Sequence, residues 1–196
     1  MEHVRAAAKF AGIELSSSQI VTLGRYADWL RSEGQHAGGI GPEEADRVER
    51  RHLADSLLFA GYLPRSSEVW DLGTGIGLPG VPLAIALPDS RFVLVDRSRR
   101  RIDLLRRVIR ILDLRNCQVV HGEIENLRGP IQTLVSRASL PPEKMIEVAQ
   151  RLLNDRGRVI MAGSWTKRPE HPGWETIEIP GYVLDQPVWL LIMRRE

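Results

Sequence analysis

Val69-Trp70-Asp71-Leu72-Gly73-Thr74-Gly75-Ile76-Gly77-Leu78-Pro79-Gly80 is the stretch on which the fold turns. Glu68 to Leu72 reads as a short strand, three glycines at alternate positions follow it directly, and Leu78 to Leu87 reads as a helix with prolines in its opening turns. Glycine suits such a loop because the backbone must turn tightly and admit a ligand close to the chain. The spacing Gly75-x-Gly77-x-x-Gly80 also satisfies the dinucleotide fingerprint, a weak signal by itself. Asp71 tilts the reading, since a carboxylate beside the loop would repel a pyrophosphate and attract a cationic, phosphate-free ligand.

Outward from this loop, strands and helices alternate. Arg91 to Asp96 is a second strand, and Ser98 caps a helix with Ile102, Leu105, Ile109 and Leu112 on its inner face. Gln118 to His121 and Thr133 to Ser136 are strands, Pro141 to Leu153 is a helix, and Gly157 to Ala162 is a fifth strand. Such alternation predicts a parallel sheet covered on both faces. Glu175 to Ile179 and Val188 to Met193 follow with no helix between them, which predicts a hairpin with one antiparallel strand at the sheet edge. Ahead of the loop, residues 1–33 read as helical, with Ala6, Ala7 and Phe10 as a short apolar face and Ser16 to Gln19 as a capping box. Ile20, Leu23, Ala27 and Leu30 then recur at helical spacing. The run Gly38-Gly39-Ile40-Gly41 breaks that helix, and a new one starts at Pro42 and reaches about Tyr62. The expected architecture is α/β. It has a doubly wound, mostly parallel, Rossmann-like sheet of seven strands over residues 65–196, with a helical extension, residues 1–64, packed on it.

Composition narrows the setting. The chain has 196 residues, the size of one large domain, and its 43% hydrophobic share supports a core. No run approaches the ~20 apolar residues of a membrane span, and Glu2, His3, Arg5 and Lys9 do not lead into a secretory signal. A lone cysteine, Cys117, excludes an intramolecular disulfide and a cysteine-based zinc site, so no metal and a reducing cytoplasm are expected. Of 27 basic residues only Lys9, Lys144 and Lys167 are lysine. GC-rich coding explains that bias as well as function does, although arginine suits phosphate recognition. Arg97, Arg99, Arg100, Arg101, Arg106, Arg107 and Arg110 form either a nucleic-acid face or a solvated helix face.

The acid-x-Gly-x-Gly-x-Gly arrangement from Asp71 to Gly77 resembles the hallmark of class I methyltransferases, which bind S-adenosyl-L-methionine. Further segments sharpen the likeness: Ala11-Gly12-Ile13-Glu14-Leu15, Arg51-His52-Leu53-Ala54-Asp55-Ser56-Leu57, the loop Gly77-Leu78-Pro79-Gly80-Val81-Pro82-Leu83-Ala84, and Ser136-Arg137-Ala138. Together they resemble the bacterial 16S ribosomal RNA guanine-N7 methyltransferases, the family of glucose-inhibited division protein B. The chain departs from that pattern at Gly38-Gly39-Ile40, Glu123, Ile131-Gln132 and Ala162-Gly163.

The candidate cofactor-binding residues are Asp71, Gly73, Gly75, Gly77, Leu78, Asp96, Ile124, Glu125 and Arg137. A carboxylate at Asp96, ending the second strand, can accept both hydroxyls of a ribose. The turn holding Ile124 and Glu125 lies beside the adenine in this fold, although Glu125 also fits a solvated helix-start acid. His121 reads as a satisfied strand-end histidine and Cys117 as a small buried hydrophobe. Arg51 and Asp55, four apart, either pair on their helix or pack toward the pocket with His52 and Ser56. Arg137 ends a strand at the ligand-binding edge of the sheet, the best candidate for positioning substrate or cofactor.

The resemblance implies methyl transfer to N7 of a guanine in small-subunit ribosomal RNA, free or in the assembled subunit, by a monomeric enzyme. Guanine N7 carries a free lone pair, so no general base is needed, and the sequence offers no acid–base dyad. The rival readings are a small-molecule methyltransferase, a binding module without activity, and a dehydrogenase using NAD.

Overall fold

The computed structural model describes residues 1–36 and 38–195, apart from the side chain of Pro42; Glu196, at the end of the expected core, lies outside the described residues. Seven strands form one sheet: β1 Glu68–Leu72, β2 Arg91–Asp96, β3 Cys117–His121, β4 Ile131–Arg137, β5 Leu153–Ala162, β6 Glu175–Ile179 and β7 Val188–Arg194. Their order is β3-β2-β1-β4-β5-β7-β6. β1 to β5 pair in parallel, while β7 runs antiparallel to both of its neighbours.

The expected edge strand is therefore corrected. β7 inserts between β5 and β6, and β6 takes the edge. Burial explains the choice. Trp189 to Ile192 are all buried, as a strand covered on both faces requires, whereas Glu175–Ile179 is mostly polar and buries only Ile179. The connection also carries a helical turn, α7 Gly181–Leu184, where none was expected; it buries Val183 and Leu184 and contacts the N-terminal helix.

Alternation along the strands builds two apolar layers. Phe92 and Leu94 face one side with α4 Gly80–Ala86 and α5 Arg99–Ile111, while Val93 and Val95 face the other with α6 Pro142–Leu152. The N-terminal helices join the first layer. α1 Glu2–Phe10 buries Val4, Ala7 and Ala8, so Ala6 and Phe10, expected in its apolar face, point outward. The capping box forms as read: the Ser16 hydroxyl accepts from the Gln19 amide and the Gln19 side chain accepts from the Ser16 amide, opening α2 Ser17–Trp29.

The segment expected as one helix from Pro42 to Tyr62 changes its winding repeatedly. It runs as a 3₁₀ turn Pro42–Arg47, a π-type stretch Val48–Ala54, α3 Asp55–Leu57 and a 3₁₀ turn Leu58–Tyr62. Wider π turns carry Arg51 and Asp55 out of the four-residue register, and no ion pair forms between them among the described residues.

Candidate cofactor and substrate site

Strand order reverses between β1 and β4, and the crevice at their carboxyl ends is where open α/β sheets bind ligands. A cavity of about 460 Å³ occupies it. Its wall includes Gly73, Gly75 and Leu78 from the glycine loop, Asp96 from β2, Ile124 and Glu125 after β3, and Arg137 at the end of β4. Seven of the nine expected cofactor residues thus meet around one space.

The other two sit behind the wall. Asp71 is fully buried beneath the loop, where its Oδ2 accepts from the Thr74 hydroxyl at 2.6 Å and the Gly80 amide at 2.8 Å. Burial outweighs those bonds and pushes its carboxyl up to about 6. Asp71 therefore holds the loop in shape from beneath, and Asp96 is the carboxylate on the cavity wall. Gly77 adopts φ +104, and a side chain there would strike Val81, Leu105 and Tyr26, so it serves helix packing. Gly73 (φ +68) and Gly75 (φ +62) also need left-handed backbone, and Gly75 faces open space.

The loop amides decide between the two ligand classes. A dinucleotide site turns free amides toward a pyrophosphate. Here the Gly75 amide donates to Asp96 Oδ2 at 2.9 Å, Gly77 and Leu78 donate to the Thr74 carbonyl at 2.9 and 3.0 Å, and Gly80 donates to Asp71. Asp96 Oδ1 also accepts from the Ser98 amide at 2.8 Å, which fixes the carboxylate on the cavity wall. Each of its oxygens keeps a second lone pair for a hydroxyl donor. The residues fit an adenosine, and the amides of Gly75, Gly77, Leu78 and Gly80 are already engaged within the protein rather than turned to a phosphate.

Behind Arg137 lies a second chamber of about 310 Å³ that shares Gly39, Arg137 and Ala138 with the first. Ala138 takes left-handed backbone (φ 52), turning the chain directly after Arg137. Arg137 donates to the Arg51 carbonyl at 3.2 Å and to His52 Nδ1 at 3.1 Å. A guanidinium can only donate, so Nδ1 is the acceptor and the His52 proton sits on Nε2. Burial, then Arg137 and Arg51, lower His52 to about 4. Of the neighbouring candidates, Arg51, His52 and Asp55 reach this chamber, while Ser56 turns its hydroxyl back to the His52 carbonyl at 2.6 Å.

Several site residues were not legible in sequence. Thr74 looked like a spacer. Tyr26, read as part of no motif, donates to the Ile76 carbonyl at 2.8 Å and ties the helical extension to the loop. Gly39, read only as a helix breaker, roofs both cavities, and a side chain there would collide with Ile76. His121 is satisfied by the Arg97 carbonyl at 3.0 Å, as expected of a strand-end histidine. Cys117 is half-buried against the core.

Residues 19–171 match the model of the family described as rRNA small subunit methyltransferase G. The chain belongs to this family. Ribosomal RNA small subunit methyltransferase G of Mycobacterium marinum is 38% identical over 141 residues, 69% of this chain and 61% of the relative. Its counterpart in Mycobacterium avium is 37% identical over 159 residues, 79% of this chain and 64% of the relative. The chain thus spans less than two thirds of the length of these relatives. Among solved structures, a SAM dependent methyltransferase from Aquifex aeolicus superposes with TM-score 0.58 at 16% identity, covering 77% of this chain and 93% of that one. This likeness concerns the fold alone. The family match covers the whole lining of the larger cavity but stops before β6 and β7, so Val188 and Leu190 of the smaller one lie outside it.

Proposed function

We propose that the chain binds S-adenosyl-L-methionine in the larger cavity and methylates N7 of a guanine in 16S ribosomal RNA. The engagement of the loop amides by Asp96, Asp71 and Thr74 carries this reading, because it disfavours a pyrophosphate while leaving the Asp96 carboxylate open to a ribose. The cofactor supplies a methyl group on a positively charged sulfur. With the cofactor bound, the guanine N7 lone pair would take that methyl as the C–S pair returned to sulfur, so the chain's residues would have no proton to remove. Positioning and electrostatics then carry the rate. In this reading Asp96 holds the ribose, the backbone at Ile124 and Glu125 faces the adenine, and Arg137, between the two chambers, orients the reacting groups. Residues 1–64 serve as a helical extension that roofs the site, and residues 65–196 as the cofactor-binding core. A monomer acting in the cytoplasm on the small-subunit RNA, alone or in the assembled subunit, is part of the same proposal.

The test combines purified protein, labelled cofactor and undermethylated small subunits or their naked RNA, followed by nucleoside analysis. Label in 7-methylguanosine is expected. Label at another base, or only in a small metabolite, would refute the substrate, and binding of NAD without S-adenosylmethionine would refute the cofactor.

A further inference from the structure

The smaller chamber holds a carboxylate with no partner. Asp55 lines it, half-buried and within the field of Arg137 and Arg51, yet makes no hydrogen bond and no ion pair within 4 Å among the described residues. Glu44 lines the same wall, 3.6 Å from His52 Nε2. The His52 Nε2–H is itself buried without a partner. Burying an ionisable group without a partner is unfavourable and calls for compensation. Desolvation raises the Asp55 carboxyl to about 6, which still leaves it mostly ionised at neutral pH.

We propose that this chamber receives the target guanine and that Asp55, with Glu44 beside it, reads the base's donor edge, N1–H and the 2-amino group. This rests on the methyl-transfer reading above. The order of polar groups supports it. A base entering with N7 toward the larger cavity meets Arg137, the residue common to both chambers, with the neighbouring O6. O6 of guanine is an acceptor, matched to a guanidinium that can only donate, while the single N7 lone pair stays free for the methyl group. One step further round the ring come N1–H and the 2-amino group, which are donors, and the chamber offers carboxylates. Adenine reverses the pattern: its amino donor would face Arg137 and its N1 acceptor would face Asp55. The chamber volume of about 310 Å³ lies within the range of small-ligand sites. Charge supports the same pose. Transfer moves the positive charge from sulfur onto the base, where the carboxylates favour it over the starting state.

The small-subunit RNA segment that takes up label is prepared with guanosine, inosine or adenosine at the methylated position. Inosine keeps N7, O6 and N1–H but lacks the 2-amino group. The wild-type chain is expected to favour guanosine over inosine in kcat/KM by roughly 10- to 100-fold, the value of one hydrogen bond to a charged acceptor. Asp55→Asn is expected to shrink that preference to a few-fold and to lose more on guanosine than on inosine. Glu44→Gln, on a different turn, provides the same comparison should Asp55→Asn fail to fold. If the wild type handles guanosine and inosine alike, or if both variants slow the two substrates equally, the carboxylates are structural and the inference falls while methyl transfer stands. If no guanine is methylated at all, the underlying reading falls and takes this one with it.

Discussion

Arg137, common to the two chambers, donates to His52 of the smaller one, and the protonation of that histidine has a measurable signature. The His52 folded-state value, about 4, lies below its unfolded value of 6.5. The unfolded chain therefore binds the proton first, and the stability contributed by neutral His52 is lost as pH falls from about 6.5 toward 4. Asp55 and Asp71 act in the opposite sense. Their folded values of about 6 exceed 3.8, so their contribution is present below about pH 4 and lost as pH rises through 6. Denaturant titrations from pH 4 to 7 should show wild type gaining on His52→Gln by about 2–4 kcal/mol across that window. A constant difference between the two would contradict a buried neutral histidine. Arg137→Ala is expected to reduce turnover by ~2–4 kcal/mol, as for other preorganised donors, and to leave S-adenosylhomocysteine affinity less affected. Calorimetry beside single-turnover rates separates the two effects. Asp96→Ala should instead weaken that affinity, since hydrogen bonds to a charged acceptor contribute about 1.5–3 kcal/mol each. Unchanged binding would remove Asp96 from the ribose role.

At the scale of elements, the glycine loop contains residues needed for different reasons. Gly75→Ala places a methyl in open space and carries only the left-handed strain, about 1–2 kcal/mol. Gly77→Ala adds a collision 2.5 Å from Val81 Cγ2 and 2.9 Å from the Tyr26 hydroxyl. Gly77→Ala should therefore lower the melting temperature far more than Gly75→Ala, whose main effect should be on ligand affinity. Similar melting temperatures would contradict this division. Helix α5 divides too. Arg100 donates to the His36 carbonyl, Arg107 pairs with Glu33 at 3.0 Å and Arg106 with Asp103, so these fasten or solvate the helix. Arg97 and Arg101 line the larger cavity, while Arg99 and Arg110 make no ion pair among the described residues. An RNA contribution is therefore expected at Arg97 and Arg99. Neutralising either should lower the slope of log affinity against log salt by about 0.7–0.9, and Arg106→Gln should leave it unchanged. The reverse pattern would move the interface down the helix.

The whole molecule shares its larger apolar layer between the helical extension and the sheet, since Val4, Leu23, Tyr26 and Leu53 belong to the same buried cluster as Phe92, Leu94 and Ile160. The Tyr26 hydroxyl and the Gln19 amide reach across this junction to the carbonyls of Ile76, Ile85 and Ala86. One cooperative unfolding transition is therefore expected despite the two-part layout of the sequence. Far-ultraviolet dichroism and tryptophan fluorescence should give coincident midpoints, and a chain beginning at residue 65 should not fold by itself. Separate transitions would mark residues 1–64 as an independent unit.

The residue order by itself determined the alternation of strands and helices, the glycine loop, the Ser16 capping box and the family signatures. All of these are local: a short window carries the periodicity, the φ > 0 requirement or the hydrogen-bonding side chain. It also placed Asp96, Ile124, Glu125 and Arg137 near strand ends, and the winding rule brought those ends to one crevice. Only the tertiary structure decided that Asp71 lies under the loop and that Asp55 faces a chamber without a partner. The insertion of β7 was decided at the same level, although its uninterrupted apolar run already hinted at an interior strand. Those outcomes depend on which groups distant in sequence compete for the same space and the same lone pairs. Asp71 is drawn to the Thr74 hydroxyl and the Gly80 amide, and the π-type winding around Arg51 takes Asp55 out of the four-residue register with that arginine. No window of sequence contains that competition.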